Sequence, residues 1–148
     1  YMDVLDATPR SFDIATQLSH GALRAYVMGQ RGADNENATA DDIGRMAMLT
    51  REAMDAGAFG FSSSRTAVHV ALDGRPVPGT YAADDELVAI AKAVRGSGRG
   101  LVEIVLAGVA GEDVAGLDRE MAMLRRVAEQ SGAPVMFLMV QQLGDSQQ

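Results

Sequence analysis

The chain has 148 residues, with 20 acidic and 13 basic side chains and a formal net charge of −7. This length corresponds to one domain, and 47% hydrophobic with 22% charged residues is typical of a globular protein. The negative charge argues against a nucleic-acid-binding protein, because such proteins carry basic patches. Cysteine is absent, which excludes disulfides, zinc-thiolate sites and a cysteine nucleophile within the chain.

The sequence contains no apolar run long enough to span a membrane and no basic start followed by an apolar core. We therefore expect a cytoplasmic protein without a signal peptide. The chain begins at Tyr1 rather than at a methionine, so we expect an internal or trimmed piece of a longer protein. Residues 1–148 are expected to form a single α/β domain.

The first half of the chain predicts two strands and one long helix. Apolar and polar residues alternate over 12–18, which predicts a strand, and 22–28 is either a short helix or a strand. Thr39 is a good N-cap, so a helix is expected from there to about Ala56. A short buried strand follows at 58–61.

In the second half of the chain, each predicted helix is followed by a glycine and then by a predicted strand. A long loop is expected over 65–82, a helix from Asp84, and buried strands at 101–106 and 135–140. A helix is expected over 112–131. The spacing of its apolar residues predicts that Glu120 lies on the outer face of this helix. The residues predicted to face inward are Val114, Leu117, Met121, Leu124 and Ala128.

Strands without alternation, each preceded by a helix, predict a parallel sheet covered by helices. Such units form either a small doubly wound sheet or half of an eight-stranded barrel, and the number of units leaves both open. In either fold, ligands bind beyond the carboxyl ends of the strands. Residues 62–65 follow the strand predicted at 58–61, so they are expected to lie at a site.

The chain contains two histidines. His20 directly follows the first predicted strand, which is the catalytic side of a barrel, and the alternative is a structural histidine bonded inside the protein. His69 lies in the long loop and could also face the active site. The alternative is a histidine exposed to solvent with no function. Two histidines fall short of the ligand set of a zinc site.

Five further residues are candidates for contact with a ligand. Arg65 could clamp a substrate carboxylate or form a surface ion pair. No Gly-x-Ser-x-Gly motif supports a serine hydrolase, so Ser62 and Ser64 are expected to hydrogen-bond a substrate or simply to provide small side chains at a tight turn. Glu103 stands among apolar residues and is a weak metal-ligand candidate, or a carboxylate that reaches solvent. Gln141 ends the last predicted strand and could contact the substrate.

Three segments resemble the middle of amidohydrolase family 3, which includes the N-acyl-D-amino-acid deacylases, or D-aminoacylases. They are Ser19-His20-Gly21-Ala22-Leu23-Arg24, Val27-Met28-Gly29 and the run from Ala53 to Ser63. The segment Asp85-Glu86-Leu87 with the helix that follows it also fits. The resemblance implies a partial (β/α)8 barrel, known as a TIM barrel. It also implies a metal-dependent hydrolase that cleaves the amide C–N bond of N-acyl (D-)amino acids.

The resemblance further implies a divalent metal, zinc, in the full-length protein. None is expected in this chain alone, because the family's His-x-His pair and acid/base aspartate come from strands outside it. The family's middle strands commonly carry histidines, whereas those predicted at 101–106 and 135–140 carry none.

The expected partner is a small-molecule substrate, an N-acyl amino acid, with no nucleic acid and no membrane. A half barrel leaves its sheet edges open, so a homo-oligomer formed through these edges is also expected. Two other interpretations stay open: a non-catalytic α/β binding or assembly module, and a degenerate amidohydrolase-like subunit.

Overall fold

A computed structural model describes residues 2–111 and 116–138. The strands are β1 Gln17–Ser19, β2 Gly60–Ser64, β3 Leu101–Val105 and β4 Val135–Leu138. The helices are α1 Met2–Ala7, α2 His20–Met28, α3 Gln30–Ala33, α4 Ala40–Asp55, α5 Asp84–Gly96 and α6 Leu117–Ser131. None of the helices within these ranges combines the length and apolar character that crossing a bilayer requires.

The four strands form one sheet in the order β1-β2-β3-β4, and every neighbouring pair is parallel. A doubly wound sheet would reverse its strand order at a switch point, whereas a (β/α) barrel keeps the order of the chain. Helix α4 contacts both α2 and α5, and α5 contacts α6, so these helices form one layer. The prediction of an α/β fold with a partial barrel is confirmed.

The core lies between the sheet and this helix layer. Phe61, Val102 and Ile104 point from the central strands into it, and each is fully buried. They pack in one cluster with helix residues that are equally inaccessible, namely Met46, Met54, Ile90, Val94 and Val127. Burial of these apolar side chains supplies the main driving force for folding.

Alternate residues of the strands lie on the opposite side of the sheet, which we call the inner face. Ser62 aligns with Glu103 of the neighbouring strand, and Ser64 aligns with Val105. On this face Gln17 Nε2 donates a hydrogen bond of 2.9 Å to Oε2 of Glu103, across the intervening strand β2. Gly60 is the β2 residue that aligns with Gln17, and it has no side chain to block this contact.

Helix α4 begins as the sequence predicts. The Thr39 hydroxyl accepts a hydrogen bond from the backbone N–H of Asp42, and the Asp42 carboxylate accepts one from the Thr39 backbone. This reciprocal pair is a capping box, which satisfies two otherwise unpaired donors. Hydrogen bonds from the backbone and side chain of Thr39 lower the pKa of Asp42 to about 2.

Two of the predicted strands have different bounds in the structure. The strand expected over 12–18 is reduced to β1, because β2 begins at Gly60 and only Gln17–Ser19 have partners there. The strand expected at 58–61 instead runs from Gly60 to Ser64, since pairing with β3 continues through the serines. The serines therefore lie within the strand rather than after it.

The helix expected over 112–131 is described from Leu117, and 112–115 lie outside the described residues. Its predicted inward face is partly wrong. Met121 is 38% exposed, whereas Glu120, expected on the outer face, is fully buried. The buried side is formed by Glu120, Met123, Leu124 and Val127. The structure also contains two short helices, α1 and α3.

Replacement of Gly60 by alanine should weaken the sheet. A Cβ at this position would lie 2.3 Å from the backbone oxygen of Leu101, which cannot retreat without loosening β3. We expect Gly60→Ala to lower the free energy of unfolding by about 1–3 kcal/mol, measured by urea denaturation.

Gly44→Ala is the matched control. Gly44 lies in α4, and no atom lies within 4 Å of an added Cβ. Alanine favours a helix interior by about 1 kcal/mol over glycine, so this variant should be more stable than the native protein. Equal effects of the two substitutions would contradict the close packing at Gly60.

Candidate functional site

A serine and a histidine meet where strand β2 ends. We call the side of the sheet at which the strands end the carboxyl edge. Ser64 is the last residue of β2, and its Oγ lies 2.7 Å from Nδ1 of His69 in the following loop. His69 is exposed to solvent. Two residues that the sequence indicated separately are thus joined by a hydrogen bond at this edge.

A buried cluster lies beside this pair, on the helix side of the sheet. The ring of His20 is 1% exposed, with Nδ1 2.7 Å from Oγ of Ser63 and Nε2 2.7 Å from Oε1 of Glu86. Arg24 donates from Nη1 to both carboxylate oxygens of Glu86, at 2.7 and 2.6 Å. Its Nη2 donates to the backbone oxygen of Glu36.

The hydrogen bonds determine the protonation of this cluster. Burial alone would raise the pKa of Glu86, but the hydrogen bonds from His20 and Arg24 and the charge of Arg24 outweigh it, so this pKa lies below its ordinary value. Burial lowers the pKa of His20, although Glu86 opposes the shift. His20 is therefore neutral, with Nε2–H donating to Glu86 and Nδ1 accepting the hydroxyl proton of Ser63.

The second half of the loop between β2 and α5 is attached to this cluster. Gly79 lies so close to the His20 ring that a Cβ there would be 2.6 Å from Nδ1. Asn35 donates to the backbone oxygens of Pro76 and Val77, and its own side-chain oxygen accepts from the backbone N–H of Gly79 at 2.8 Å. The loop that carries His69 is thereby fixed at its far end.

Arg65 is also engaged within the protein. It donates from Nε and Nη2 to the two oxygens of Glu120, at 2.8 and 3.1 Å, and from Nη1 to the backbone oxygen of Ala82 at 2.8 Å. Glu120 also accepts from the backbone N–H of Ala107, just after β3. The ion-pair alternative therefore describes Arg65, with a partner that is buried rather than on the surface.

The remaining predicted residues are placed as follows. Ser62 and Glu103 lie half-buried on the inner face, where Glu103 contacts Gln17 rather than another acidic or histidine ligand. Gln141 lies outside the described residues. For His20, the structure favours the structural alternative, since both ring nitrogens are used inside the protein. A role of these residues in binding substrate stays a prediction.

Sequence reasoning missed the acidic partners. Glu86 occupies the first turn of α5, where an acidic residue is usually a solvated group that favours the helix terminus. One signal was present in α2, since His20 and Arg24 are four positions apart and share a helix face. A histidine and an arginine on one buried face require an acidic partner.

A metal ion does not fit the residues that the structure describes. Within 2–111 and 116–138, no three acidic or histidine side chains lie close enough together to hold one. Both nitrogens of His20 are already bonded, and Nδ1 of His69 is bonded to Ser64. No chemical step through a metal is therefore assigned to these residues.

The parallel strands in chain order define part of a (β/α) barrel, and β1 and β2 end in the polar residues Ser19 and Ser64. In this fold the carboxyl edge is the face that carries active sites. A family model described as the amidohydrolase family matches residues 1–148. The chain belongs to the amidohydrolase family.

The chain is similar to longer proteins. It is 32% identical over 106 residues to uncharacterized proteins of Mycobacterium bovis and Mycobacterium tuberculosis, covering 67% of this chain and 17% of theirs. A solved N-acyl-D-glutamate deacylase of Bordetella bronchiseptica, complexed with zinc and a phosphonate inhibitor, superposes with a TM-score of 0.66 at 23% identity. That match covers 90% of this chain and 24% of the deacylase, and supports the barrel fold.

The buried His20 should make stability depend on pH. Below the ordinary histidine pKa of 6.5 the unfolded chain binds a proton that folded His20 does not, so folding loses free energy as the pH falls. We expect the free energy of unfolding, measured by urea denaturation, to decrease from about pH 7 to about pH 5. Glu86 should lower the free energy of unfolding further when the pH falls below 4.5, the ordinary pKa of its carboxyl group.

Two variants test the origin of this dependence. His20→Gln should remove the slope above pH 5, because the group responsible is gone. His69→Ala should keep it, since His69 lies outside the buried cluster. A slope that persists in His20→Gln and disappears in His69→Ala would contradict the assignment.

Proposed function

We propose that the chain forms the central part of a larger amidohydrolase barrel that cleaves the amide C–N bond of N-acyl (D-)amino acids. The observation that carries the proposal is the hydrogen-bonded pair of Ser64 and His69 at the carboxyl edge of a barrel-type sheet, in a chain of the amidohydrolase family. The fold is shared with an enzyme described as an N-acyl-D-glutamate deacylase. This likeness supports the substrate class, which remains part of the proposal.

In this proposal the chain supplies the substrate side of the site. Ser64 and His69 lie at the carboxyl edge, and Ser62 lies further down the inner face. The buried pairs made by Glu86 and Glu120 support this edge from the helix side and do not face the substrate. A divalent metal, zinc, is proposed for the whole enzyme, with ligands outside the residues described.

The proposal is tested by activity and metal content. The polypeptide encoded by the complete gene should release free amino acid from N-acetyl-D-glutamate or another N-acetyl-D-amino acid, measured by chromatography. Elemental analysis should find stoichiometric zinc in that polypeptide. Zinc bound tightly by the 148-residue chain alone would contradict the placement of the ligands elsewhere.

A second candidate stays open, namely a non-catalytic module or a degenerate subunit. In the described part of the chain no ligand set for a metal exists, and the more buried of the two histidines is fully used in structural hydrogen bonds. A complete gene product with neither zinc nor hydrolytic activity would support this candidate against the first. The cytoplasmic location stays a prediction for either.

For the 148-residue chain by itself, we also propose a homo-oligomer formed through the sheet edges. Within the described residues β1 and β4 each pair on one side, which leaves two edges. We expect a dimer or larger species in sedimentation velocity.

Leu138→Lys, on the edge strand β4, should favour the monomer, because an edge lysine opposes strand pairing. Met48→Lys on α4 is the control and should leave the oligomer unchanged; a monomeric native chain would contradict the proposal.

A further inference from the structure

The cationic and histidine side chains near the carboxyl edge differ in whether their nitrogens are already hydrogen-bonded within the protein. Arg24 pairs with buried Glu86 through Nη1, and Arg65 pairs with buried Glu120 through Nε and Nη2, which offsets the charge of each arginine. His69 uses Nδ1 for Ser64, and within 2–111 and 116–138 its Nε2 has no hydrogen-bond partner. His69 therefore keeps one ring nitrogen available to a ligand.

The position of this nitrogen is held by ordered backbone. His69 begins a small hairpin, in which its oxygen accepts from the backbone N–H of Val77 at 3.0 Å and Arg75 accepts from Ala71 at 2.8 Å. Ser64, at the other end of the side-chain hydrogen bond, belongs to the sheet. The imidazole is thus attached both to the loop and to the strand end where ligands of barrel proteins bind.

We propose that Nε2 of His69, oriented by Ser64, binds the carboxylate of the N-acyl amino acid. The inference rests on the proposed function for the class of substrate. When the Ser64 hydroxyl donates to Nδ1, the imidazole carries its proton on Nε2 and becomes a donor. A carboxylate is the strongest acceptor that such a substrate offers, and a protonated Nε2 cannot ligate a metal.

The two histidines of the chain allow a direct test by NMR. The ring signals of His69 should shift when N-acetyl-D-glutamate is added, and should not shift with its dimethyl ester, which keeps the acyl group but lacks both carboxylates. The ring signals of His20 provide an internal control, because that ring is buried. Loss of one signal set in His69→Ala assigns the two residues.

Variants test the roles of the two residues. His69→Ala and Ser64→Ala should each weaken binding of N-acetyl-D-glutamate about tenfold, the effect of losing one hydrogen bond to a charged group. Ser64→Thr keeps the hydroxyl and should retain the affinity. Lys92→Gln removes an exposed positive charge from α5 and should have no effect, which separates a specific contact from general attraction. Thermal unfolding of each variant checks that it is folded.

The inference is overturned if the dimethyl ester shifts the His69 signals as the acid does, or if His69→Ala binds N-acetyl-D-glutamate unchanged. Its failure is distinguishable from that of the proposed function, because the readout is binding and not hydrolysis. If the His69 signals shift only with the carboxylate and no hydrolysis is found, the His69 site is supported and the proposed hydrolase function is contradicted. If hydrolysis is found but the His69 signals do not shift, only the proposed His69 site is contradicted.

Discussion

The carboxylate of Glu86 is the group on which the arrangement of the carboxyl edge depends. It accepts from both His20 and Arg24 on α2, and through His20 it is connected to Ser63 of β2. A charge buried without partners would cost several kcal/mol, and removal of one member of such a buried pair costs about 3–5 kcal/mol. Helix α5 is therefore bound to α2 by this ion pair and its hydrogen bonds.

Glu120 repeats this arrangement one unit later. It lies near the start of α6 and binds Arg65 at the end of β2, while its second contact is the backbone just after β3. In each case an acidic side chain from the first turn of a helix reaches back to a cation of a preceding unit. The amino-terminal end of a helix favours a negative charge, so both carboxylates occupy a suitable electrostatic position.

Local chemistry accounts for what the sequence could predict. The cap at Thr39, the helices α4 and α5 and the strand β3 follow from capping residues and apolar spacing alone. The serines of β2 were placed after the strand because polar residues resemble a turn, yet pairing with β3 decides where the strand ends. Glu86 and Glu120 were missed because an acidic residue in a first turn is usually solvated, and their partners come from distant positions. Ser64 and His69 were named individually, but only the fold brings them together.

The sequence distances within the Glu86 cluster have a consequence for folding kinetics. Its hydrogen bonds join residues separated by 43, 62 and 66 positions. Closing loops of this length is entropically unfavourable until the intervening strands and helices have formed. We therefore expect the cluster to be completed late in folding. Interactions that form after the transition state slow unfolding and hardly affect the folding rate, so a cluster completed late would prolong the lifetime of the folded state.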